Sequence, residues 1–143
     1  MPSVSLPISA VGPTLEIGIA TPASLLAADA PKPQIQWFKA IADTGCSHTS
    51  IHSSVAAKCG LKVLSKTTAT TPGANVAVNI YHGDLFLRSM VSWITPFDWG
   101  FGDRGFVEMV NPNPNFDALL GMDVLSFGVF VVNGGLKQAT FSW

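Results

Sequence analysis

The residues best suited by type and spacing to do chemistry are the tripeptide Asp43-Thr44-Gly45, which follows the apolar run Ala40-Ile41-Ala42. A carboxylate in a tight loop can hold a water molecule and take a proton from it. Glycine lets the backbone approach closely, and its N–H can donate to a carboxylate oxygen. A second carboxylate about 3 Å away would make the pair share one proton, so that one group acts as base and the other as acid.

A second motif lies further along the chain, where Leu119-Leu120-Gly121 leads into Met122-Asp123-Val124-Leu125. Together with Asp43-Thr44-Gly45, it resembles the retropepsin-like aspartic proteases, most closely the single-lobe bacterial and retrotransposon-type enzymes. In that family a hydrophobic strand ends in Asp-Thr-Gly, and a hydrophobic-hydrophobic-Gly strand crosses behind the catalytic loop before a short helix. The resemblance covers residues 15–141.

The resemblance implies a mainly β fold: a single-lobe acid-protease closed β-barrel with one or two short helices, a flap hairpin over the substrate, and a homodimeric assembly. It implies that the catalytic residues are Asp43, Thr44 and Gly45, with Thr44 bracing the two loops across the dimer axis. It also implies a structural psi-loop at Leu119, Leu120 and Gly121, and a substrate-binding flap at Pro72, Gly73, Ala74 and Asn75. No cofactor is expected beyond a catalytic water.

The number of catalytic triplets sets the expected assembly. The chain has one Asp-Thr-Gly and no Asp-Ser-Gly, whereas two-lobed members of the class carry one triplet in each lobe. We therefore expect a homodimer in which Asp43 of each copy supplies half of the dyad. The expected activity is that of an aspartic endopeptidase, a hydrolase that cuts extended, largely hydrophobic polypeptide segments. The alternative is a catalytically inactive dimeric module of the same fold that binds peptides or serves in assembly.

Several positions depart from the retroviral pattern. Retroviral members form a structural ion pair between an Asp two residues after the triplet and an Arg after the glycine of the second motif; here those positions hold Ser47 and Met122. Because both partners are missing, no orphan charge is left. We interpret Cys46, where viral enzymes usually have Ala, as a small apolar substitute. Asp123 is interpreted as a charge at a helix N-terminus rather than a catalyst.

Cys46, His48, His52 and Cys59 are four side chains that could bind a metal. Their spacing matches none of the usual zinc patterns, so a zinc module is the weaker alternative and no metal is expected. The simpler interpretation is that both histidines lie on the surface and that the two thiols pack.

The segment 100–105 has the G-x-G-x-x-G spacing of dinucleotide-binding loops. It leads to a predicted strand instead of opening a helix, so we reject it as a nucleotide site. Trp99 and Phe101 could line a substrate pocket, although ordinary loop packing is the simpler interpretation.

Alternating apolar residues, punctuated by Gly, Pro and Asn, predict the elements that must position these side chains. Strands are predicted at 13–20, 35–42, 62–71, 76–81, 84–94, 105–110, 116–120, 128–132 and 136–143, and short helical segments at 53–58 and 122–127. Ser53 is predicted to cap the first helix and Gly60 to end it. The segment 72–75 should be the turn of a long hairpin, with surface loops at 21–33 and 95–104. Tyr81 and Trp93 are predicted to be core residues.

Length and composition limit the partners. At 143 residues the chain fits one domain, 1–143, whose residues 1–12 are expected to form an arm or stay disordered. With 48% hydrophobic and 12% charged residues, self-association is favoured, and the strand 136–143 is expected to offer a free edge to a second copy. A net charge of −1 argues against nucleic acid or an anionic membrane as partner. Two cysteines and no secretory signal at the start lead us to expect a cytoplasmic protein.

Overall fold

The computed structural model describes residues 1–89 and 97–143, which form ten strands and two short helices. The strands are β1 (Ser3–Ser9), β2 (Gly12–Ala20), β3 (Gln36–Ala42), β4 (Ser50–Ile51), β5 (Lys62–Thr71), β6 (Ala74–Ser89), β7 (Phe97–Glu108), β8 (Ala118–Leu120), β9 (Val129–Asn133) and β10 (Gln138–Ser142). The helices are α1 (Ser53–Lys58) and α2 (Met122–Leu125). The connection between β2 and β3 contains one 3-10 turn, Ala23–Leu25. The prediction of a mainly β chain is confirmed.

Six strands close into a barrel. Their order is β6-β7-β4-β8-β3-β2, and β2 pairs with β6 to close the ring. Alternate residues of β6 point inward, as the two-residue period of a strand requires. Fully buried side chains in this core include Ile17, Ile19, Leu85, Leu87 and Phe106. The single-lobe barrel implied by the sequence is therefore confirmed, whereas the homodimer stays a prediction.

The two ends of the chain form a smaller sheet in the order β1-β10-β9. Residues 1–12, expected to form an arm or stay disordered, contribute β1, in which Ser3 pairs with Ser142. Strand β10 therefore lies between β1 and β9, and its predicted free edge is wrong. The pairing is favoured because Leu6 of β1 and Phe141 of β10 are both fully buried beneath this sheet. In the described part of the chain, β9 is instead the last strand at this end of the strand order, and β5 is the last strand at the other end.

The prediction of a loop at 95–104 is wrong from residue 97 onward, because this segment belongs to β7. Strand β7 pairs with β6, and opposite Leu85 and Phe86 it has one extra residue, Phe101, next to Gly102, whose φ is 79°. A Cβ at Gly105 would lie only 2.7 Å from Ile80 Cγ2. Gly105 is therefore explained by close packing between the strands and Gly102 by a bulge, and both features occur within regular strands.

The predicted strands 76–81 and 84–94 belong to one continuous strand, β6, as far as Ser89. Tyr81 in this strand is buried, as predicted. Residues 90–94 of the second predicted strand, including Trp93, lie outside the described residues.

Helix α1 has the predicted bounds, and Gly60, with a φ of 63°, follows its C-terminus. The predicted cap is wrong: His52 occupies the N-cap position without a side-chain capping bond, and Ser53 is the first helical residue. Val55 and Ala56 are buried and attach the helix to the core. No helix within the described ranges has the length and apolar character that crossing a membrane requires.

Candidate active site

The loop that carries the Asp43 side chain begins at the end of β3. Ala42, the last residue of that strand, is buried and pairs in parallel with Leu120 of β8. The backbone N–H of Asp43 continues this pairing by donating to the Leu120 carbonyl at 3.0 Å. Asp43 is therefore the first polar side chain to leave the core at this strand end.

A tight turn fixes the Asp43 carboxylate. Its Oδ1 accepts a hydrogen bond from the Gly45 N–H at 2.8 Å, and the Cys46 N–H donates to the Asp43 carbonyl at 3.2 Å. A hydrogen bond to an ionised carboxylate is stronger than a neutral one and restricts the rotation of the group. Asp43 is half-buried, whereas Thr44 and Gly45 are exposed. The role of Thr44 across a dimer axis stays a prediction.

The motif Leu119-Leu120-Gly121 crosses directly behind this turn, since β8 pairs with β3 on one side and β4 on the other. The Met122 N–H donates to the Cys46 carbonyl at 2.8 Å. A Cβ on Gly121 would lie 2.6 Å from the carbonyl carbon of His48 and 2.9 Å from the Cys46 oxygen. Only glycine permits so close an approach. The structure thus brings the two sequence motifs together.

A cleft of about 500 Å³ opens between this loop and the hairpin of β5 and β6. One wall is formed by residues 45–48 and Ser50, and the opposite wall by residues 67–70 of β5. Ile80 and Val107 complete the lining, and none of the described lining residues is Asp, Glu, Lys or Arg. A weakly charged cleft of this size suits a ligand such as an extended peptide.

The hairpin tip is shorter than the predicted turn at 72–75. Only Pro72 and Gly73 connect the strands; Thr71 pairs with Ala74, and Ala74 and Asn75 belong to β6. Gly73 has a φ of 91°, a conformation that glycine adopts without strain. The tip residues are exposed and do not line the cleft. The wall at 67–70 was missed because its threonines indicate a strand but not what the strand faces.

The region that contains these features also matches a known sequence family. A model of the aspartyl protease family matches residues 36–124, from the first residue of β3 into α2. The chain belongs to the aspartyl protease family. The matched span includes Asp43, the hairpin and the Gly121 crossing.

Comparison with solved structures gives a fold that is consistent with this family. The crystal structure of a retropepsin-like aspartic protease from Rickettsia conorii matches with a TM-score of 0.53, covering 97% of this chain and 89% of that chain. The sequence identity is 15%, so this likeness establishes the fold alone. No curated protein sequence matches the chain. The predicted membership of the aspartic proteases and the predicted retropepsin-like fold are both confirmed.

Behind the Asp43 loop lies a hydrogen-bond network that no sequence motif indicated. Asp123 Oδ1 accepts hydrogen bonds from the N–H and the hydroxyl of Thr49, each at 2.8 Å, and Arg104 Nη1 lies 3.3 Å from Asp123 Oδ2. Asp123 does lie in the first turn of α2, but its interpretation as a helix N-terminal charge is incomplete. Strand pairing, rather than any local pattern, brings these residues together.

The four residues considered as zinc ligands make separate contacts. Cys46 Sγ donates to the His48 carbonyl at 2.8 Å, and the exposed His48 ring lies 2.9 Å from Ser47 Oγ through Nδ1. His52 is half-buried at the N-cap of α1. Cys59 is buried, and burial raises the pKa of its thiol to about 11. Among the residues that the structure describes, no three His, Cys, Asp or Glu side chains are grouped as a metal site.

Phe101 packs inside the aspartyl protease fold, away from the cleft. Its ring centroid lies 5.7 Å from that of Trp143 and 6.4 Å from that of Phe127. Phe101 is therefore a packing residue, as the simpler interpretation had it, although it lies in strand β7 and not in a loop. The side chain of Trp99 lies outside the described part of the structure.

Proposed function

We propose that the chain is the subunit of an aspartic endopeptidase in which Asp43 activates a water molecule for attack on a peptide bond. The observation that carries this proposal is the position of the Asp43 carboxylate. It is fixed at 2.8 Å by the N–H of Gly45, which itself lines the cleft between loop and hairpin. Membership of the aspartyl protease family supports the same class of reaction.

The chain supplies one carboxylate, so the proposed site needs a second copy. In a two-fold dimer, the two Asp43 carboxylates would face each other at about 3 Å and share one proton. The ionised carboxylate takes a proton from the water as its oxygen attacks the carbonyl carbon, while the protonated one donates to the developing oxyanion. As the C–N bond breaks, the leaving nitrogen receives the proton that the first carboxylate took from the water, and the second carboxylate regains a proton from a hydroxyl of the tetrahedral intermediate. These reaction steps need no covalent intermediate and no cofactor other than water.

We assign the dimer contact to β9. In the described chain this strand pairs only with β10, so its other edge presents unpaired N–H and C=O groups. Val129, Val131 and Val132 on β9 are 56%, 55% and 55% exposed, which is unfavourable in an isolated subunit. The strand also follows α2, whose Met122 is bonded to the Asp43 loop. A two-fold contact here would keep Asp43 close to the axis.

The proposed substrate is an extended peptide that lies between the Asp43 loop and β5. Extended peptides add to exposed strands through backbone hydrogen bonds, and alternate side chains enter pockets. Ile80, Val107 and Ala69 are apolar parts of the lining, and charged lining residues are absent from this cleft as described. We therefore expect hydrophobic residues on both sides of the cleaved bond.

The test is hydrolysis of a mixed peptide pool by the purified protein at several pH values between about 4 and 7. The wild-type protein should cut peptides, and a statine-type inhibitor should block the reaction. Asp43→Asn should be inactive, because the amide keeps an oxygen for Gly45 but cannot accept a proton from water. Asp29→Asn, at an exposed position between β2 and β3, is the matched control and should behave as wild type.

Each outcome separates the alternatives. Loss of cleavage in Asp43→Asn, with an unchanged dimer in sedimentation, supports the mechanism. Cleavage retained by Asp43→Asn contradicts it. A wild-type dimer that binds peptides and cuts none would instead identify the inactive binding or assembly module.

A further inference from the structure

Asp123 joins segments that meet behind the Asp43 loop. Its Oδ1 accepts two hydrogen bonds from Thr49, from the N–H and from the hydroxyl, each 2.8 Å long. Thr49 is fully buried, and its Oγ1 accepts a further bond from the Gly121 N–H at 3.2 Å. One carboxylate oxygen therefore fixes the end of the loop and, through Thr49, the junction of β8 and α2.

Arg104, a residue of β7, contacts the other oxygen of the Asp123 carboxylate. Its Nη1 lies 3.3 Å from both Asp123 Oδ2 and the Asp123 carbonyl oxygen, and its Nη2 donates to the Phe101 carbonyl at 3.1 Å. The Arg104 and Asp123 side chains are 15% and 19% exposed. Ionic screening by salt is weak at such a site, and a carboxylate there requires a compensating charge. Arg104 thus neutralises Asp123 and limits its rotation.

The network reaches Asp43 through the backbone. The Asp43 N–H donates to the Leu120 carbonyl at 3.0 Å, and the Asp123 N–H donates to the Ser47 carbonyl at 3.2 Å. The loop 43–49 is therefore bonded to residues 120–123 at its start, towards its middle and, through Thr49, at its end. A shift of α2 relative to β3 would carry the Asp43 carboxylate with it.

We propose that Asp123 is a positioning residue for the Asp43 carboxylate, and that Arg104 keeps Asp123 aimed at Thr49. This inference rests on the proposed function, because only a reacting dyad requires Asp43 to be placed so closely. The positions of the retroviral ion pair hold Ser47 and Met122 in this chain. Arg104 and Asp123 supply an ion pair behind the same loop from β7 and α2. A misplacement of about 1 Å can lower a reaction rate by about 10²-fold.

Three variants separate the parts of the network. Asp123→Ala removes the acceptor for Thr49 and the partner of Arg104. Asp123→Asn keeps an oxygen for Thr49 but removes the charge that faces Arg104, and Arg104→Gln removes the opposite charge. Asp117→Ala is the matched control, because Asp117 also accepts a backbone N–H bond, from Lys39 at 3.3 Å, just before β8 and away from the loop.

The first readout is kcat per active site, with sites counted by titration with a tight statine-type inhibitor. We expect kcat to fall about 10²-fold in Asp123→Ala and about tenfold in Arg104→Gln, with KM changed by less than about threefold. Asp117→Ala should match wild type. A role limited to stability would reduce the number of titratable sites and the unfolding temperature while kcat per site stayed constant, and that result overturns the proposal.

The second readout is hydrogen exchange at the Thr49 and Gly121 amides, which does not depend on activity. Both should exchange at least about tenfold faster in Asp123→Ala than in wild type or Asp117→Ala. If Asp123→Ala does not fold, Arg104→Gln provides both readouts, and Asp123→Asn, which keeps the acceptor for Thr49, provides kcat alone. Unchanged exchange in folded Asp123→Ala, or in Arg104→Gln where Asp123→Ala does not fold, overturns the network. Faster exchange in a protein that cuts no peptide supports the network and contradicts only the proposed function.

Discussion

Gly121 lies so close to the backbone of His48 that a Cβ on it would be 2.6 Å from the His48 carbonyl carbon. At this contact the junction of β8 and α2 packs directly against the loop that carries Asp43. Gly121 is required by this packing, since its φ of −93° is open to any residue.

We expect Gly121→Ala to lower the free energy of unfolding by about 1–3 kcal/mol, because the added methyl group forces a backbone shift in a packed region. The same shift would displace Asp43, so peptide hydrolysis should be lost. Urea unfolding and the peptide assay measure the two effects. In the control Gly134→Ala, a Cβ meets no atom within 4 Å, and stability should change by less than about 0.5 kcal/mol. Equal stability of Gly121→Ala and wild type would show that the close contact is absent.

The two thiols should differ in reactivity towards alkylation of the folded protein. The thiolate is the reactive form, and burial raises the pKa of Cys59 to about 11. At pH 8, only about 0.1% of Cys59 is therefore ionised. Cys46 is half-buried and lines the cleft, so iodoacetamide should modify it first, as followed by mass spectrometry. Cys46→Ser should abolish labelling of the folded protein. Labelling of Cys59 ahead of Cys46 would contradict its burial.

The Cys59 thiol should also make stability depend on alkaline pH. Its pKa is raised from 9.0 to about 11 on folding, so the folded state holds the proton more tightly. The resulting stabilisation is complete below pH 9 and is lost as the pH rises towards 11. The stability of wild type relative to Cys59→Ala should fall across this window in equilibrium unfolding. A constant difference from pH 8 to 11 would exclude the linkage.

Strand β9 should be the site at which a charge disrupts the dimer. Val131→Lys places an ammonium group on an edge strand that we assign to the subunit contact, and desolvating it there is unfavourable. Light scattering should show a shift to monomer, with a matching loss of peptide hydrolysis. Val63→Lys on β5, where the native valine is 50% exposed, is the control and should stay dimeric. If Val131→Lys remains dimeric, the assignment of the dimer contact to β9 is wrong.

Local patterns predicted the barrel elements well. The alternation in β2 and β3, the Pro72-Gly73 connection and the bounds of α1 were all accessible from the sequence, because each depends on nearby residues. Asp43 and Gly121 were identified as partners through the resemblance of their two motifs to the retropepsin-like aspartic proteases. The family model and the structure confirm the retropepsin-like relationship that these motifs implied.

Long-range pairing explains what was missed. The segment from Phe97 to Arg104 is rich in glycine, and it becomes a strand because β6 pairs with it over its length. The position of β10 inside the terminal sheet depends on β1, more than 120 residues away in sequence, as in the pair Ser3 and Ser142. The contact of Thr49 with Asp123 likewise spans 74 positions. No window of neighbouring residues contains such information.

The hairpin of β5 and β6 has a further consequence for how a substrate would enter. Strand β5 lies at one end of the sheet order, and most of its residues are exposed. Residues 74–79 of β6 pair only with β5, because β6 pairs with β7 from Ile80 onward, so raising the outer hairpin as a unit breaks no ladder bond that the structure describes and uncovers little apolar surface. The free energy of this local opening is therefore well below that of global unfolding. If the chain is the proposed endopeptidase, a long polypeptide would enter sideways beneath the raised hairpin, with no need to thread a free end, while the barrel and the Asp43 turn remain intact.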